Sequence, residues 1–271
     1  KRLLLCSVIL NLSLLAVFKY FNFFIENAQL ALSFFGLNSE STWTLNLILP
    51  VGISFYTFQT MSYTLDIYRE KLKPNMNFIS FACFVSFFPQ LVAGPIERAK
   101  NFLPQFNNKR VFTLKKGAQG MKLLVWGLFK KVVIADSLAP SVDAIFNNSD
   151  YYHGGVLWMG AIFFAIQIYC DFSGYSDIAI GAAKLFGFNL MINFKTPYFS
   201  KNIGEFWRRW HISLSTWFRD YVYIPLGGSR VSTPLAVRNV FIIFIVSGMW
   251  HGANWTFIFW GIYHAILFIP S

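Results

Sequence analysis

Long apolar stretches, separated by short polar or charged segments, make up most of the chain. A helix that crosses a bilayer needs about 20 consecutive apolar residues, and most of these stretches approach or exceed that length. We predict membrane-embedded helices over residues 3–25, 45–68, 78–96, 118–135 and 236–269. Pro50 and Gly52 interrupt the second stretch, and residues 252–254 divide the last. The pattern predicts an all-α polytopic membrane protein.

The composition favours a membrane protein over a soluble one. Charged residues are 13% of the 271 residues, whereas a soluble domain carries about 25%. The hydrophobic fraction of 55% also excludes a disordered chain. Lys and Arg total 23 against 12 for Asp and Glu, which gives a formal net charge of +11. Basic residues beside apolar stretches are typical of cytoplasmic membrane loops, so we expect no nucleic-acid partner.

The distribution of Lys and Arg predicts which segments face the cytoplasm. Basic residues cluster in residues 69–77, 97–117 and about 184–238, so the positive-inside rule places these segments in the cytoplasm. Residues 26–44 contain no Lys or Arg, and neither do residues 132–183. We therefore expect 26–44 and about 136–155 to lie outside. Lys19, within the first apolar stretch, is interpreted as snorkelling or functional.

Residues 78–96 do not fit a simple crossing, because basic segments lie on both sides of them. Pro89, Gly94 and Pro95 break this stretch, which favours a re-entrant element. Irregular backbone is tolerated at membrane depth only when it is buried in protein or lines a cavity. The sequence therefore predicts a cavity inside the membrane.

One candidate histidine lies in the segment NIGEFWRRWHISLSTWFRDYVYIPLGGSR, residues 202–230. On a continuous helix, His211 falls on one line with Trp207, Leu214 and Phe218, while the basic side chains fall opposite. Such an amphipathic helix is predicted to lie along the cytoplasmic interface with His211 pointing inward. A structural histidine that is bonded to a carbonyl group remains the alternative.

A second candidate histidine lies in SGMWHGAN, residues 247–254. A helix from Arg238 to His251 would bring His251 about 20 Å from the cytoplasmic end, well inside a hydrocarbon core about 30 Å thick. Gly252 can end this helix and Asn254 can cap the next one. An ionisable residue at that depth is a functional candidate, and a neutral imidazole can act as a general base. A packing role is the alternative.

The remaining candidates are weaker. His264, in the last apolar stretch, has fewer polar neighbours and is interpreted as structural, whereas His153 is expected to be solvated. Asp171 and Tyr175 belong to a polar cluster in an apolar setting, where a carboxylate needs a partner. The three cysteines are widely spaced and form no CxxC motif, so no metal site and no disulfide is predicted.

Five strings together resemble a known family: LPVGISFYTFQTMSYTLDIYR (49–69), FFPQLVAGPIER (87–98), YCDFSGYSDIAIG (169–181), FWRRWHISLSTWFRDYVYIPLGG (206–228) and SGMWHGANWTFIFWGIYH (247–264). They are similar to the membrane-bound O-acyltransferase (MBOAT) family. Within that family, they resemble the bacterial branch of alginate O-acetyltransferases and teichoic acid D-alanyl transfer proteins. IPLGGSR and WHGANWTF favour the alginate type.

The resemblance implies a ring of transmembrane and re-entrant helices around a central tunnel. It implies that His251 is the catalytic residue and His211 the second essential one. Residues 1–271 would form one membrane-embedded acyltransferase domain with its catalytic core at about 45–264. We expect this to be a partial domain, truncated at both ends, because the chain starts on Lys1-Arg2 and runs straight into an apolar stretch.

The predicted activity is transfer of an acyl group, expected to be acetyl, from a cytoplasmic thioester towards a hydroxyl of an extracytoplasmic polysaccharide. The donor would be acetyl-CoA or an acyl carrier, with no bound cofactor. Guanidinium groups suit phosphate, so Arg208, Arg209 and Arg219 are candidate donor-binding residues, with ordinary flanking charge as the alternative. Asp171, Tyr175 and Asn254 complete the candidate substrate-binding set.

The expected location is the bacterial inner membrane, with lipids, the acceptor polysaccharide and an extracytoplasmic acyltransferase as partners. Two alternatives stay open. Broken helices and intramembrane histidines also fit a transporter or channel without acyl-transfer chemistry. An acyltransferase of the same type could also act on a lipid or a protein.

Overall fold

The computed structural model describes residues 1–37, 44–92 and 94–270. Within these ranges the chain is helical and contains no strand, which confirms the predicted all-α class. The α-helices are α1 (Arg2–Leu15), α2 (Phe21–Phe34), α3 (Ile53–Tyr68), α4 (Phe78–Val85), α5 (Ala99–Asn107), α6 (Leu114–Leu128), α7 (Asp136–Asn147), α8 (Gly154–Leu185), α9 (Ile203–Arg209), α10 (Ile212–Phe218), α11 (Thr233–His251) and α12 (Trp255–Phe268). Three π-helical segments, Ala16–Tyr20, Phe129–Ala135 and Arg219–Tyr223, join α1 to α2, join α6 to α7 and extend α10.

Three helices of the described chain are long and apolar enough to cross a membrane: Arg2–Phe34, Gly154–Leu185 and Thr233–His251. They support a membrane protein. The apolar pattern alone did not single out residues 154–185, but the predicted placement of about 136–155 outside and about 184–238 in the cytoplasm requires a crossing between them.

The first helix is longer than predicted. It continues from Arg2 to Phe34 through nine residues that were assigned to an outside loop. The helix ends at Phe34. Gly36 follows with a φ of 76°, which permits the left-handed turn that commonly closes helices. The N–H groups of Gly36 and Leu37 donate to the carbonyls of Ser33 and Leu32. Residues 38–43 of the predicted loop, including Glu40, lie outside the described residues.

Residues 78–96 form a broken element, as predicted from their proline and glycine residues. They begin with α4 and continue as a short 3₁₀ turn, Phe88–Gln90. Eight helical residues at 1.5 Å each extend about 12 Å, which is too short to cross a bilayer. This element packs on α5 through Phe84 and Phe102, both fully buried.

Helices α6 and α8 approach each other closely through pairs of glycines. A Cβ atom added at Gly174 would lie 2.8 Å from the carbonyl oxygen of Gly127, and one at Gly181 would lie 2.6 Å from that of Gly120. Small residues allow such backbone contact between helices in membranes. Both pairs recur at a spacing of seven residues, two turns of a helix, so the contact continues along the helix pair.

Ion pairs cross the same interface. Lys130, buried in the π-helical segment, lies 2.8 Å from the carboxylate of Asp177 and donates to the hydroxyl of Ser173 at 2.9 Å. Lys131 lies 2.7 Å from Asp171 and 2.6 Å from Asp136. The expectation that carboxylates in this apolar setting need partners is confirmed, and lysines supply them.

The prediction of one continuous helix over residues 202–230 is wrong. The helix breaks at His211, whose φ of 45° lies in the left-handed region. The cause is a neighbouring segment of chain, because the carbonyl of Asn193 accepts a hydrogen bond from Ile212 N–H at 2.9 Å. The side-chain oxygen of Asn193 accepts another from Ser213 N–H at 3.2 Å. Residues outside the helix therefore cap α10 at its start.

We expect Gly174→Ala to destabilise the protein, because its added Cβ would meet backbone atoms of α6 that cannot rotate away. Thermal unfolding in detergent should begin several degrees lower than in the wild type. Gly155→Ala, on the same helix, is the matched control, since nothing lies within 4 Å of that Cβ. There the better helix propensity of alanine should leave stability unchanged or slightly raised. Equal stability of the two variants would contradict the close helix contact.

Candidate active site

His251 is the last residue of α11. Gly252 then takes an extended conformation, and the side chain of Asn254 caps α12 by accepting a hydrogen bond from Thr256 N–H at 2.9 Å. The predicted end of one helix at Gly252 and the predicted cap at Asn254 are both confirmed. His251 therefore lies at the turn between two packed helices.

The side chain of His251 lines a cavity of about 600 Å³ with predominantly aromatic and aliphatic walls. The lining residues are Phe164, Ala165, Ile168, Phe172, Tyr198, Phe206, Trp207, Trp210, His251, Thr256, Phe257, Trp260 and His264. The second histidine of this cavity, His264, has a buried Nδ1 without a hydrogen-bond partner. Its placement in the cavity was missed, since sequence analysis interpreted His264 as structural.

His211 lies directly behind the cavity wall. Its ring meets that of the wall residue Phe172 edge-on at 4.6 Å and lies 6.1 Å from the ring of Trp250. Trp250 in turn lies 5.0 Å from the ring of His251. The two candidate histidines, 40 residues apart in the sequence, thus lie near the same indole ring.

Hydrogen bonding of His211 is one-sided. The residue is only 2% exposed. Its Nδ1 lies 3.1 Å from Oδ1 of Asn193, whereas its Nε2 is buried and has no partner in the part of the chain that the structure describes. The inward orientation predicted for His211 is confirmed, although the broken helix produces it and the continuous helical face that was predicted does not exist.

Aromatic stacking holds α10 against α3, and α3 against the end of α11. The indole of Trp217 stacks on Phe58 of α3 at 3.9 Å, and its N–H donates to the Phe58 carbonyl at 3.0 Å. The ring of Phe58 also stacks on that of Trp250, with the ring centroids 5.6 Å apart. Stacked aromatic pairs contribute roughly 0.5–1.5 kcal/mol beyond their buried area. They therefore hold α3, α10 and the end of α11 in one arrangement.

The first helix caps the end of α11. The last carbonyls of a helix lack partners within it, and here Tyr20 donates its hydroxyl to the Met249 carbonyl at 2.6 Å. The ammonium of Lys19 donates to the Trp250 carbonyl and, at 3.1 Å, to the hydroxyl of Ser54. A cation at this position also complements the helix dipole. Lys19 thus points inward, beside the residue that precedes His251.

A second cavity, of about 300 Å³, adjoins the first. Its lining comprises Gly204, Trp207, Arg208, Leu214, Ser215, Phe218, Arg219, Tyr223, Val240, Ile243, Phe244, Ser247 and Phe268. Trp207 is the residue that lines both cavities. Its indole N–H is buried without a partner. The second cavity therefore combines two guanidinium groups with an apolar interior and meets the histidine cavity at one side chain.

The three predicted arginines differ in their surroundings. Arg208 is exposed and makes no ion pair within the described residues. Arg219 lies 2.8 Å from Asp220, and Arg209 lies 2.6 Å from Glu205. The Lys201 backbone N–H and Arg209 lower the pKa of Glu205, so that the pair stays ionised. Arg208 and Arg219 line the second cavity and Arg209 does not.

The other predicted substrate-binding residues lie outside both cavity linings. The carboxylate of Asp171 is paired with Lys131, and Tyr175 is half-buried on α8. The side-chain oxygen of Asn254 is occupied by the helix cap. Their substrate-binding roles stay predictions. No group of histidine, cysteine and carboxylate side chains suited to a metal ion occurs in the described ranges.

Glu97 supports the segment that carries Asn193. Its carboxylate is 2% exposed and accepts a hydrogen bond from Met191 N–H at 2.5 Å. Burial raises the pKa of Glu97 to about 7, against the smaller opposing effects of that N–H and of Arg98. Sequence analysis missed both Glu97 and Asn193. Neither carries a signal in the sequence that distinguishes it from an exposed polar residue, since Glu and Asn are mostly exposed in proteins.

The fold and the site define an all-helical membrane protein with one candidate histidine, His251, in an aromatic cavity and the other, His211, behind the cavity wall. The sequence model of MBOAT, the membrane-bound O-acyltransferase family, matches residues 30–271. The chain belongs to this family, as its motifs predicted.

Curated relatives agree. Over 264 residues the chain is 47% identical to a protein of Azotobacter vinelandii named "Probable alginate O-acetylase AlgI", covering 97% of this chain and 52% of that protein. It is 42% identical over 294 residues to "Peptidoglycan O-acetyltransferase" of Helicobacter pylori, covering 98% and 54%. Identity to "Teichoic acid D-alanyltransferase" of Bacillus subtilis is 31% over 237 residues, covering 82% and 58%. The chain thus spans about half the length of the curated relatives it matches.

The raised pKa of Glu97 predicts a pH-dependent stability. Its carboxyl favours the protonated form when folded, so its contribution is full below the ordinary pKa of 4.5 and is lost as pH rises towards 7. Glu97→Gln keeps an oxygen for Met191 N–H but does not ionise. We expect this variant to match the wild type at pH 5 and to unfold several degrees higher at pH 8.

Thermal unfolding in detergent at both pH values measures this difference. Glu70→Gln, at an exposed position, is the matched control and should follow the wild type. A lower unfolding temperature of Glu97→Gln at pH 8 would show that the native carboxyl is ionised and stabilising.

Proposed function

We propose that the protein transfers an acetyl group from a cytoplasmic thioester, acetyl-CoA or an acylated carrier, towards a hydroxyl of an extracytoplasmic polysaccharide. The observation that carries the proposal is that the rings of His251 and His211 lie 5.0 and 6.1 Å from that of Trp250, and that His251 lines a cavity that meets an arginine-lined cavity at Trp207. His251 lines a space large enough for a small acyl group and part of an acceptor, and His211, from a distant motif, lies behind the wall of that space.

The donor binds first in the second cavity. Arg208 and Arg219 contact its phosphate groups, since guanidinium groups suit phosphate oxygens. Its narrow thioester arm extends over the apolar lining, past Trp207, until the acyl carbonyl lies near His251. The exposed, unpaired state of Arg208 supports this role, because its guanidinium is free to bind an anion.

His251 then acts as the general base. It takes the proton of the acceptor hydroxyl while that oxygen attacks the thioester carbonyl carbon. The carbon–sulfur bond breaks, and the leaving sulfur receives the proton from the imidazole. General base catalysis contributes about 10²–10⁴-fold to a rate, and alignment of both substrates in one enclosed space contributes further.

Similarity to the curated relatives supports a polysaccharide as the proposed acceptor. The names of the relatives refer to alginate, peptidoglycan and teichoic acid, all of them polymers. The higher identity to the alginate and peptidoglycan enzymes than to the D-alanyltransferase supports acetyl as the acyl group. The proposed location is the bacterial inner membrane, and an outward-facing acyltransferase partner completes delivery to the polymer.

We expect His251→Ala in the full-length protein to reduce acetylation of the surface polymer at least about 100-fold, because it removes the general base. Mass spectrometry of the polymer measures acetyl content, and immunoblotting of membranes measures protein level. His153→Ala is the matched control, since His153 is exposed at the start of α8 and distant from the motifs. Normal acetyl content in His251→Ala would remove His251 from the mechanism.

The same preparation separates acyl transfer from transport. Purified wild-type protein, supplied with acetyl-CoA and an acceptor polysaccharide in detergent, should release free thiol without any ion gradient. Absence of thiol release, together with solute uptake by reconstituted vesicles that depends on a gradient, would instead identify a transporter.

Donor binding through the second cavity predicts an effect on KM. Arg208→Ala should raise the KM for acetyl-CoA by about tenfold with little change in kcat, because a hydrogen bond to a charged group contributes roughly 1.5–3 kcal/mol. Arg230→Ala is the control, an exposed arginine outside both linings. Equal effects of the two variants would favour general surface charge over a donor site.

A further inference from the structure

Asn193 is a fully buried polar residue that no catalytic role has yet included. It is 1% exposed and lies between α8 and α9, in a segment without regular structure. Its side-chain NH₂ donates to the hydroxyl of Ser176 at 3.3 Å. Its Oδ1 lies 3.1 Å from Nδ1 of His211 and accepts from the hydroxyl of Ser213 at 2.9 Å.

The orientation of the Asn193 amide follows from its partners. The backbone N–H of Ser213 can only donate, and it points at Oδ1 at 3.2 Å. An NH₂ group at that position would oppose a donor with a donor, so the oxygen must occupy it. The assignment, which for amides rests on the hydrogen-bond network, is therefore set by the backbone and does not depend on the histidine.

The tautomer of His211 follows in turn. Because Oδ1 of Asn193 can only accept, Nδ1 of His211 must carry the hydrogen. A neutral imidazole carries one ring hydrogen, so its Nε2 holds a free lone pair. A second hydrogen on Nε2 would place an unpaired charge in a site that is 2% exposed, which is strongly unfavourable. The buried, unpartnered Nε2 is consistent with a hydrogen-bond acceptor that awaits a donor.

We propose that Asn193 is a positioning residue that fixes His211 as the Nδ1–H tautomer, so that Nε2 acts as a hydrogen-bond acceptor towards the reacting groups. This inference rests on the proposed acyl transfer. The ring of His211 lies against those of Phe172 and Trp250, and Phe172 is itself part of the cavity lining. His251 lines the same cavity as Phe172.

Three variants of the full-length protein test the proposal. Asn193→Leu keeps the approximate volume but removes the acceptor, so the tautomer is no longer fixed. Asn193→Asp retains an acceptor oxygen for Nδ1 and adds a charge, and the hydroxyl of Ser176 can rotate to donate to it. Asn189→Leu is the matched control, because Asn189 is an exposed residue of the same segment.

We expect Asn193→Leu to lower kcat about 100-fold per folded protein, with the KM for acetyl-CoA unchanged. Asn193→Asp should retain most of the activity, and the acidic limb of its kcat profile should move to higher pH, because a carboxylate stabilises the imidazolium. On the elements packed against His211, α11 presents the titratable His251, which both variants retain. Phe172 of α8 does not titrate. Asn189→Leu should match the wild type.

A merely structural role predicts something else. In that case Asn193→Leu would reduce the amount of folded protein while the remaining molecules kept the wild-type kcat, and Asn193→Asp would show an unshifted pH profile. Either result would overturn the proposal. Failure of the proposed function itself is distinguishable, since the wild-type protein would then release no thiol from acetyl-CoA.

Discussion

The break in the chain at His211 depends on Asn193, and the candidate site depends on that break. In a continuous helix, backbone N–H groups past the first turn are satisfied within the helix. Here the chain leaves the helix at Trp210, and the carbonyl and amide oxygens of Asn193 satisfy the N–H groups of Ile212 and Ser213. The left-handed backbone at His211 is unfavourable for a non-glycine residue. It persists because these bonds, and the stacking of Trp217 on Phe58, hold both sides.

Lys19 and Lys130, like the backbone around His211, have hydrogen-bond or ion-pair partners within the fold. Lys19 binds a helix-end carbonyl and a serine, and Lys130 binds an aspartate and a serine. Each lies in a π-helical segment, where one extra residue per turn changes the direction of the following side chains. Each lysine side chain reaches a residue of a neighbouring helix, Trp250 of α11 for Lys19 and Asp177 of α8 for Lys130. The same lysines therefore connect helices, in place of the apolar contacts that suffice in soluble cores.

Sequence patterns predicted the parts of this fold that local chemistry decides. The end of α11 at His251 follows from Gly252 and Asn254, and the break in residues 78–96 follows from its proline and glycine residues. The split of α9 from α10 could not be predicted, because its cause lies 18 residues away. The same holds for His264. Its cavity lies among α8, α9 and α12, and helical periodicity does not encode how these helices pack.

The aromatic walls also bear on which reaction the site would favour. A thioester carbonyl near a general base reacts with water as readily as with a sugar hydroxyl if both are present. Thirteen residues line the histidine cavity, and most of them are aromatic or aliphatic, so few groups can hold an ordered water there. A lining of this kind offers water few hydrogen bonds, which disfavours hydrolysis of the donor. On the proposed function, the acceptor hydroxyl then competes with little else. The preference for acyl transfer to the acceptor over hydrolysis of the thioester would then come from the cavity lining. The histidines alone would not create this preference.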